Sequence, residues 1–101
     1  MKLVSARKPK RRVFSADGDS IVEIIILPDI FGMKPAAYIH KVHTDEEHRG
    51  KGYATKLVKE AIEYAQREGC YKAFLICHRE TVPFYERCGM KESQAGMEIR
   101  L

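Results

Sequence analysis

One periodicity restricts what this chain can become. Ala54, Leu57, Val58, Ala61, Ile62 and Ala65 recur at the i, i+3, i+4, i+7, i+8 and i+11 positions that place them on one stripe of an α-helix. Lys56, Lys59, Glu60, Glu63 and Arg67 fall on the other side, and Gly69 supplies a stop. Such a helix must bury its stripe against another apolar surface.

The flanking sequence supplies that surface as strands. "RRVFSADGDSIVEIIILPD" holds two strand-like runs around Asp17 and Gly18, a pair suited to a tight hairpin turn. The second run, Ile21 to Leu27, is nearly all apolar, as in a strand buried on both faces. Pro28 and Asp29 end it, and "IFGMKP" reads as a loop. "AAYIHKVHT" is a third strand, with Tyr38, His40, Val42 and Thr44 expected on one face and Ile39, Lys41 and His43 on the other. After the helix, "YKAFLIC" reads as a short buried strand. "ETVPFYERCG" reads as a second, short helix capped by Thr81, with Pro83 in its first turn and Gly89 at its end, and "AGMEIRL" as a last strand. Three strands, helix, strand, helix, strand predicts an α/β (α+β) fold with a mixed, mostly antiparallel sheet flanked by helices.

At 101 residues there is room for one domain only, taken as residues 1–101. A composition 45% hydrophobic and 32% charged excludes the disordered class and predicts a packed core. Cys70, Cys77 and Cys88 are odd in number, lack Cys-x-x-Cys spacing and sit among apolar residues, so reduced thiols and a cytoplasmic setting are expected. The basic start "MKLVSARKPKRR" lacks the apolar stretch of a signal peptide, and no apolar run reaches membrane-spanning length. The net charge of +4 and the cluster "RKPKRR" fit a solvated edge or a field that attracts anionic substrates. Nucleic acid is the weaker expectation, because no aromatic or groove-reading pattern accompanies the cluster. His40 and His43 point to opposite faces of a regular strand with no cysteine or carboxylate completing a set, so no metal site is expected.

The start of the long helix, "EEHRGKGYATKL", carries the chemistry. A helix amino terminus presents N–H groups without intrahelical partners and a partial positive charge, and binds phosphate where the backbone can be approached closely. Gly50 and Gly52 permit that approach, Arg49 and Lys51 add charge, and Thr55 adds a hydroxyl. The phosphate loop of nucleotide triphosphatases has no counterpart in the chain, and the dinucleotide fingerprint needs glycine where Thr55 stands. A glycine-softened helix start that binds nothing is the competing reading.

"RGKGYA" resembles the Arg/Gln-x-x-Gly-x-Gly/Ala signature of the GNAT superfamily of acetyl-CoA-dependent N-acetyltransferases, and "FYERCGM" downstream resembles that family's Phe-Tyr-Glu-Lys-x-Gly-Phe helix. "GCYKAFLIC", "VPFYERCGM" and the terminal "MEIR" are similar to the carboxy-terminal half of glucosamine-6-phosphate N-acetyltransferases, from about residue 38 to 101. The resemblance implies a compact GNAT fold lacking the usual pair of amino-terminal helices, with acetyl-CoA as co-substrate. It implies donor contacts from Val42, His43 and Thr44 on the strand, from Arg49, Gly50, Lys51, Gly52, Tyr53, Ala54 and Thr55 at the cradle, and from Thr81 and Phe84. Tyr85 becomes the acid for the departing thiolate, and Arg100 falls where the family grips the acceptor's phosphate. His40-Lys41 stands where the sugar-phosphate enzymes have Glu-Asp, Ile76 where they have aspartate and Thr81 where they have asparagine. His40 is then the candidate base, since imidazole titrates near neutrality. With the covering helices missing, a homodimer joined near the carboxy-terminal strand is expected to complete the site. Another amine (a polyamine, an amino acid or a protein lysine), a non-catalytic acetyl-CoA sensor and a nucleic-acid-binding module are the competing functions.

Overall fold

A computed structural model of the chain describes residues 8–16, 20–28, 34–44, 50 and 52–101. Three strands come first: β1 (Lys10–Ala16), β2 (Ser20–Leu27) and β3 (Ala36–His43). Helix α1 (Tyr53–Arg67), strand β4 (Lys72–Phe74), a 3-10 turn (Arg79–Thr81) and helix α2 (Val82–Arg87) follow. The sheet order is β1-β2-β3-β4, antiparallel except for the parallel β3–β4 pair that the α1 crossover requires. The expected mixed, mostly antiparallel sheet is therefore present. The turn expected at Asp17 and Gly18 lies outside the described residues, but the strands on either side pair up to Ala16↔Ser20, as a hairpin demands.

The predicted stripe finds its surface on this sheet. Leu57, Val58, Ala61 and Ala65 of α1 bury against Val22, Ile24 and Ile26 of β2 and Ala37 and Ile39 of β3. Each fully buried valine, leucine or isoleucine among them contributes roughly 1.5–3 kcal/mol. α1 ends as predicted: Gly69 takes φ 78 and the Cys70 N–H donates to the Ala65 carbonyl. α2 ends in the same manner, with Gly89 at φ 95 and the Met90 N–H donating to the Tyr85 carbonyl.

Three expectations change. β4 is three residues long instead of seven, because its ladder with β3 stops at Tyr38↔Phe74. The segment "AGMEIRL" forms no strand: it pairs with none of the four strands, and Met97 and Ile99 are 91% and 82% exposed. A strand exists only where its backbone groups find a ladder partner. The alternation of β3 breaks at Lys41, whose φ is 54. There Ile21 and Glu23 of β2 face His43 and His40, so β3 carries one residue more than its partner, a β-bulge.

Candidate active site

The bulge reassigns the faces of β3. Before it, His40 shares a face with Tyr38, and the two rings stack with centroids 5.2 Å apart. After it, Val42 packs against the core cluster that contains Ile39. Thr44 is buried, and its Oγ1 accepts a hydrogen bond from Ser20 Oγ at 3.1 Å. Val42 and Thr44 thus do not share a face with His40, because the inserted residue shifts the two-residue repeat by one.

β3 and β4 form a fork. They pair only at Ala36↔Lys72, Ala37↔Ala73 and Tyr38↔Phe74, although β3 runs on to His43. Past Tyr38 the ladder between the two strands ends. His40 is the next residue of its face beyond the last paired position.

The head of α1 follows β3. Gly50 and Gly52 both sit at φ 82, a left-handed conformation that disfavours any residue with a Cβ. Conformation rather than crowding makes glycine necessary there, since an added Cβ would meet nothing within 4 Å at either position. Gly52 is the N-cap, no side chain caps the helix, and its first turn contains no acidic residue. The positive end of the helix dipole is consequently not offset by a carboxylate of its own first turn. A cavity of about 390 Å³ opens beside it, between Ser15 and Ala16 at the end of β1 and Gly52, Tyr53, Lys56 and Glu60. Arg49 and Lys51 lie outside the described residues. Ala54 and Thr55 are half-buried in the first turn.

α2 contributes Phe84 and Tyr85, half-buried against the core with their rings edge to face at 4.9 Å. Burial raises the Tyr85 phenol above its ordinary value, and the nearby Cys77 and Cys88 thiols add to the effect. The phenol therefore stays protonated at neutral pH and able to donate. Burial likewise raises the Cys70 and Cys88 thiols, which keeps them protonated and poorly nucleophilic. Thr81 occupies the N-cap position of α2 but does not cap it: its hydroxyl donates to the His78 carbonyl at 2.8 Å. Arg100 is not gathered with these groups. Its side chain is 90% exposed and lies 3.6 Å from Glu98 in the same tail.

A residue absent from the sequence reading emerges beside His40. Glu23 is 3% exposed, and its Oε1 lies 2.9 Å from both His40 Nε2 and Arg11 Nε, while Oε2 is 3.6 Å from Lys41 Nζ. Burial pushes its carboxyl up, but the hydrogen bonds from Arg11 and His40 and the charges of Arg11 and Lys41 outweigh that and hold it below its ordinary range. The sequence signal was one charge inside the apolar run "IVEIIIL". Among the described residues, no three His, Cys, Asp or Glu side chains converge as metal ligands. No helix there is long and apolar enough to cross a membrane.

These features have counterparts in known proteins. The acetyltransferase (GNAT) family matches residues 5–90. Glucosamine 6-phosphate N-acetyltransferase of Arabidopsis thaliana is 37% identical over 62 residues, covering 61% of this chain and 42% of that protein. The crystal structure of glucosamine-6-phosphate N-acetyltransferase from Arabidopsis thaliana superposes with a TM-score of 0.76 at 29% identity, over 80% of this chain and 56% of the other. A protein of Agrobacterium tumefaciens assigned as an acetyltransferase reaches a TM-score of 0.83 at 31% identity, over 93% of this chain and 71% of its own. The chain thus spans less than half the length of that curated relative. With the glycine turn, the fork and the Phe-Tyr helix in the family's order, this chain belongs to the acetyltransferase (GNAT) family.

Proposed function

We propose that residues 1–101 form a single N-acetyltransferase domain that moves the acetyl group of acetyl-CoA to a primary amine, with glucosamine 6-phosphate as the acceptor. The observation that carries this reading is the pair of left-handed glycines at the uncapped head of α1, the helix that follows β3 in the chain. Backbone N–H groups of the first helical turn, with Arg49 and Lys51, hold the pyrophosphate of the donor. The pantetheine arm runs along Val42, His43 and Thr44, whose main chain also polarises the thioester carbonyl. Thr81 and Phe84 border the thioester end.

His40 takes a proton from the acceptor's ammonium, and the freed lone pair attacks the thioester carbon. The carbon–nitrogen bond forms and the carbon–sulfur bond breaks. Tyr85 gives its proton to the departing thiolate, and the surplus proton on the new amide nitrogen restores the phenol. Arg100 grips the acceptor's phosphate when a second copy of the chain brings the exposed tail to the site. The reduced thiols suit a cytoplasmic enzyme.

A second acceptor class has its own support: Ile76, where the sugar-phosphate enzymes have aspartate, is 72% exposed. A small amine lacking a sugar would not need that carboxylate. Thiol release from acetyl-CoA, followed across glucosamine 6-phosphate, polyamines, amino acids and lysine peptides, decides between them. Turnover of glucosamine 6-phosphate that Arg100→Ala abolishes is the expected result. Turnover of another amine alone replaces the acceptor, and acetyl-CoA binding without thiol release on any amine contradicts catalysis.

A further inference from the structure

Glu23 is in an expensive place. It sits in the middle strand of the β1-β2-β3 meander with isoleucines at Ile21 and Ile25 on its own face, where another isoleucine would continue the apolar surface. A buried carboxylate is tolerated only when paired, and replacing such an ion pair by apolar residues is often stabilising. Its pairing is elaborate: Arg11 reaches it from β1, and His40 and Lys41 reach it from β3. In a regular strand residues 40 and 41 would point to opposite faces; the bulge, with Lys41 at φ 54, is what lets both address one carboxylate.

That carboxylate determines the protonation pattern of His40. An ionised carboxylate accepts hydrogen bonds and donates none, so the ring nitrogen 2.9 Å from Glu23 Oε1, Nε2, is the one that carries hydrogen. In the neutral ring Nδ1 is then left with the lone pair. Tyr38 stacks on one side of the ring and fixes its plane, and the side chain remains 24% exposed.

We infer that Glu23 is a positioning residue for His40: it holds the imidazole as the Nε2–H tautomer, so that Nδ1 receives the proton of the acceptor's ammonium. This rests on the acetyl-transfer reading above. Arg11 shares the same oxygen, its Nε 2.9 Å from Glu23 Oε1, and holds the carboxylate from the β1 side. The charged and titratable groups facing His40 are then Arg11 from β1, Glu23 from β2 and Tyr38 and Lys41 from β3. Glu23→Gln keeps the shape but replaces the acceptor-only carboxylate by an amide that can accept or donate.

The test has two readouts on the full chain. Nitrogen-15 chemical shifts of the neutral His40 ring are expected to report hydrogen on Nε2 and a lone pair on Nδ1. The ring of Glu23→Gln, whose amide can either accept from Nε2 or donate to it, is expected to show a mixture of the two tautomers together with a lower kcat. KM for acetyl-CoA should stay unchanged. Hydrogen on Nδ1 of the wild-type protein overturns the inference, whether or not the variant folds. So does an unmixed Nε2–H tautomer with unchanged kcat in Glu23→Gln. Absence of thiol release with every amine contradicts the acetyl-transfer reading instead, and the tautomer measurement still decides the role of Glu23.

Discussion

Gly50 and Gly52 hold backbone conformations that only glycine adopts readily. Gly52→Ala places a Cβ on a residue at φ 82, which costs about 1–2 kcal/mol of stability. If the turn holds a pyrophosphate, the same change weakens coenzyme A binding about tenfold, the equivalent of one charge-assisted hydrogen bond. Calorimetric titration beside a denaturation curve separates the two; lost stability with unchanged affinity would reduce the turn to a structural device. Glu23 supports a second prediction. Its folded pKa lies below its ordinary value of 4.5, so the paired carboxylate contributes stability that is present above that value and lost as pH falls through the depressed one. Denaturation midpoints should fall as pH drops below 4.5 in the wild-type chain and less steeply in Glu23→Gln. Equal slopes would mean that Glu23 is not held ionised by its neighbours. Neither the tautomer nor this linkage was visible in the sequence, because "IVEIIIL" announces a charge without saying which cations reach it.

At the element scale the chain is legible where one periodicity meets one surface. The stripe Ala54 to Ala65 predicted α1, and Leu57, Val58, Ala61 and Ala65 are the residues it buries. Leu57→Ala should therefore destabilise the fold by roughly 2–5 kcal/mol, while Lys59→Ala, on the exposed side of the same helix, should change it by less than about 0.5 kcal/mol. Similar costs at the two positions would contradict the packing. Legibility fails where a strand's behaviour depends on its neighbour. Nothing in "AAYIHKVHT" marks Lys41 as the residue that breaks the alternation, since a bulge is a property of two strands in register. "YKAFLIC" is apolar along its length, yet only Lys72–Phe74 pair, because the fork ends the ladder. Thr81 carries the right hydroxyl for a cap and spends it on His78. In each case local propensity named the element, and tertiary pairing set its length or its direction.

At the scale of the whole molecule the unbalanced feature is the tail. Met97, Ile99 and Leu101 alternate with Glu98 and Arg100 in the period of a strand, and all three apolar residues are exposed. β4 is at the sheet edge, with β3 as its neighbour in the sheet. A second copy whose tail adds to that edge would bury the apolar residues and carry Arg100 with them. Sedimentation at micromolar concentration should then find a dimer, converted to monomer in Met97→Glu/Ile99→Glu with loss of thiol release. A fully active monomer would sink that assembly. The family was legible from two motifs and their order; the acceptor was not, since Arg100, Ile76 and His40 depart from or fail to join a single sugar-phosphate pocket.

The amides of the glycine turn report on the donor site themselves. Titration of the chain with coenzyme A, followed by the nitrogen–proton resonances of Gly50 and Gly52, should move both signals to saturation at micromolar to low millimolar ligand. Pantetheine, which has the arm without the pyrophosphate, should leave them in place. Gly50 and Gly52 resonances that do not respond to coenzyme A, or that respond equally to pantetheine, would contradict a pyrophosphate cradle at the head of α1.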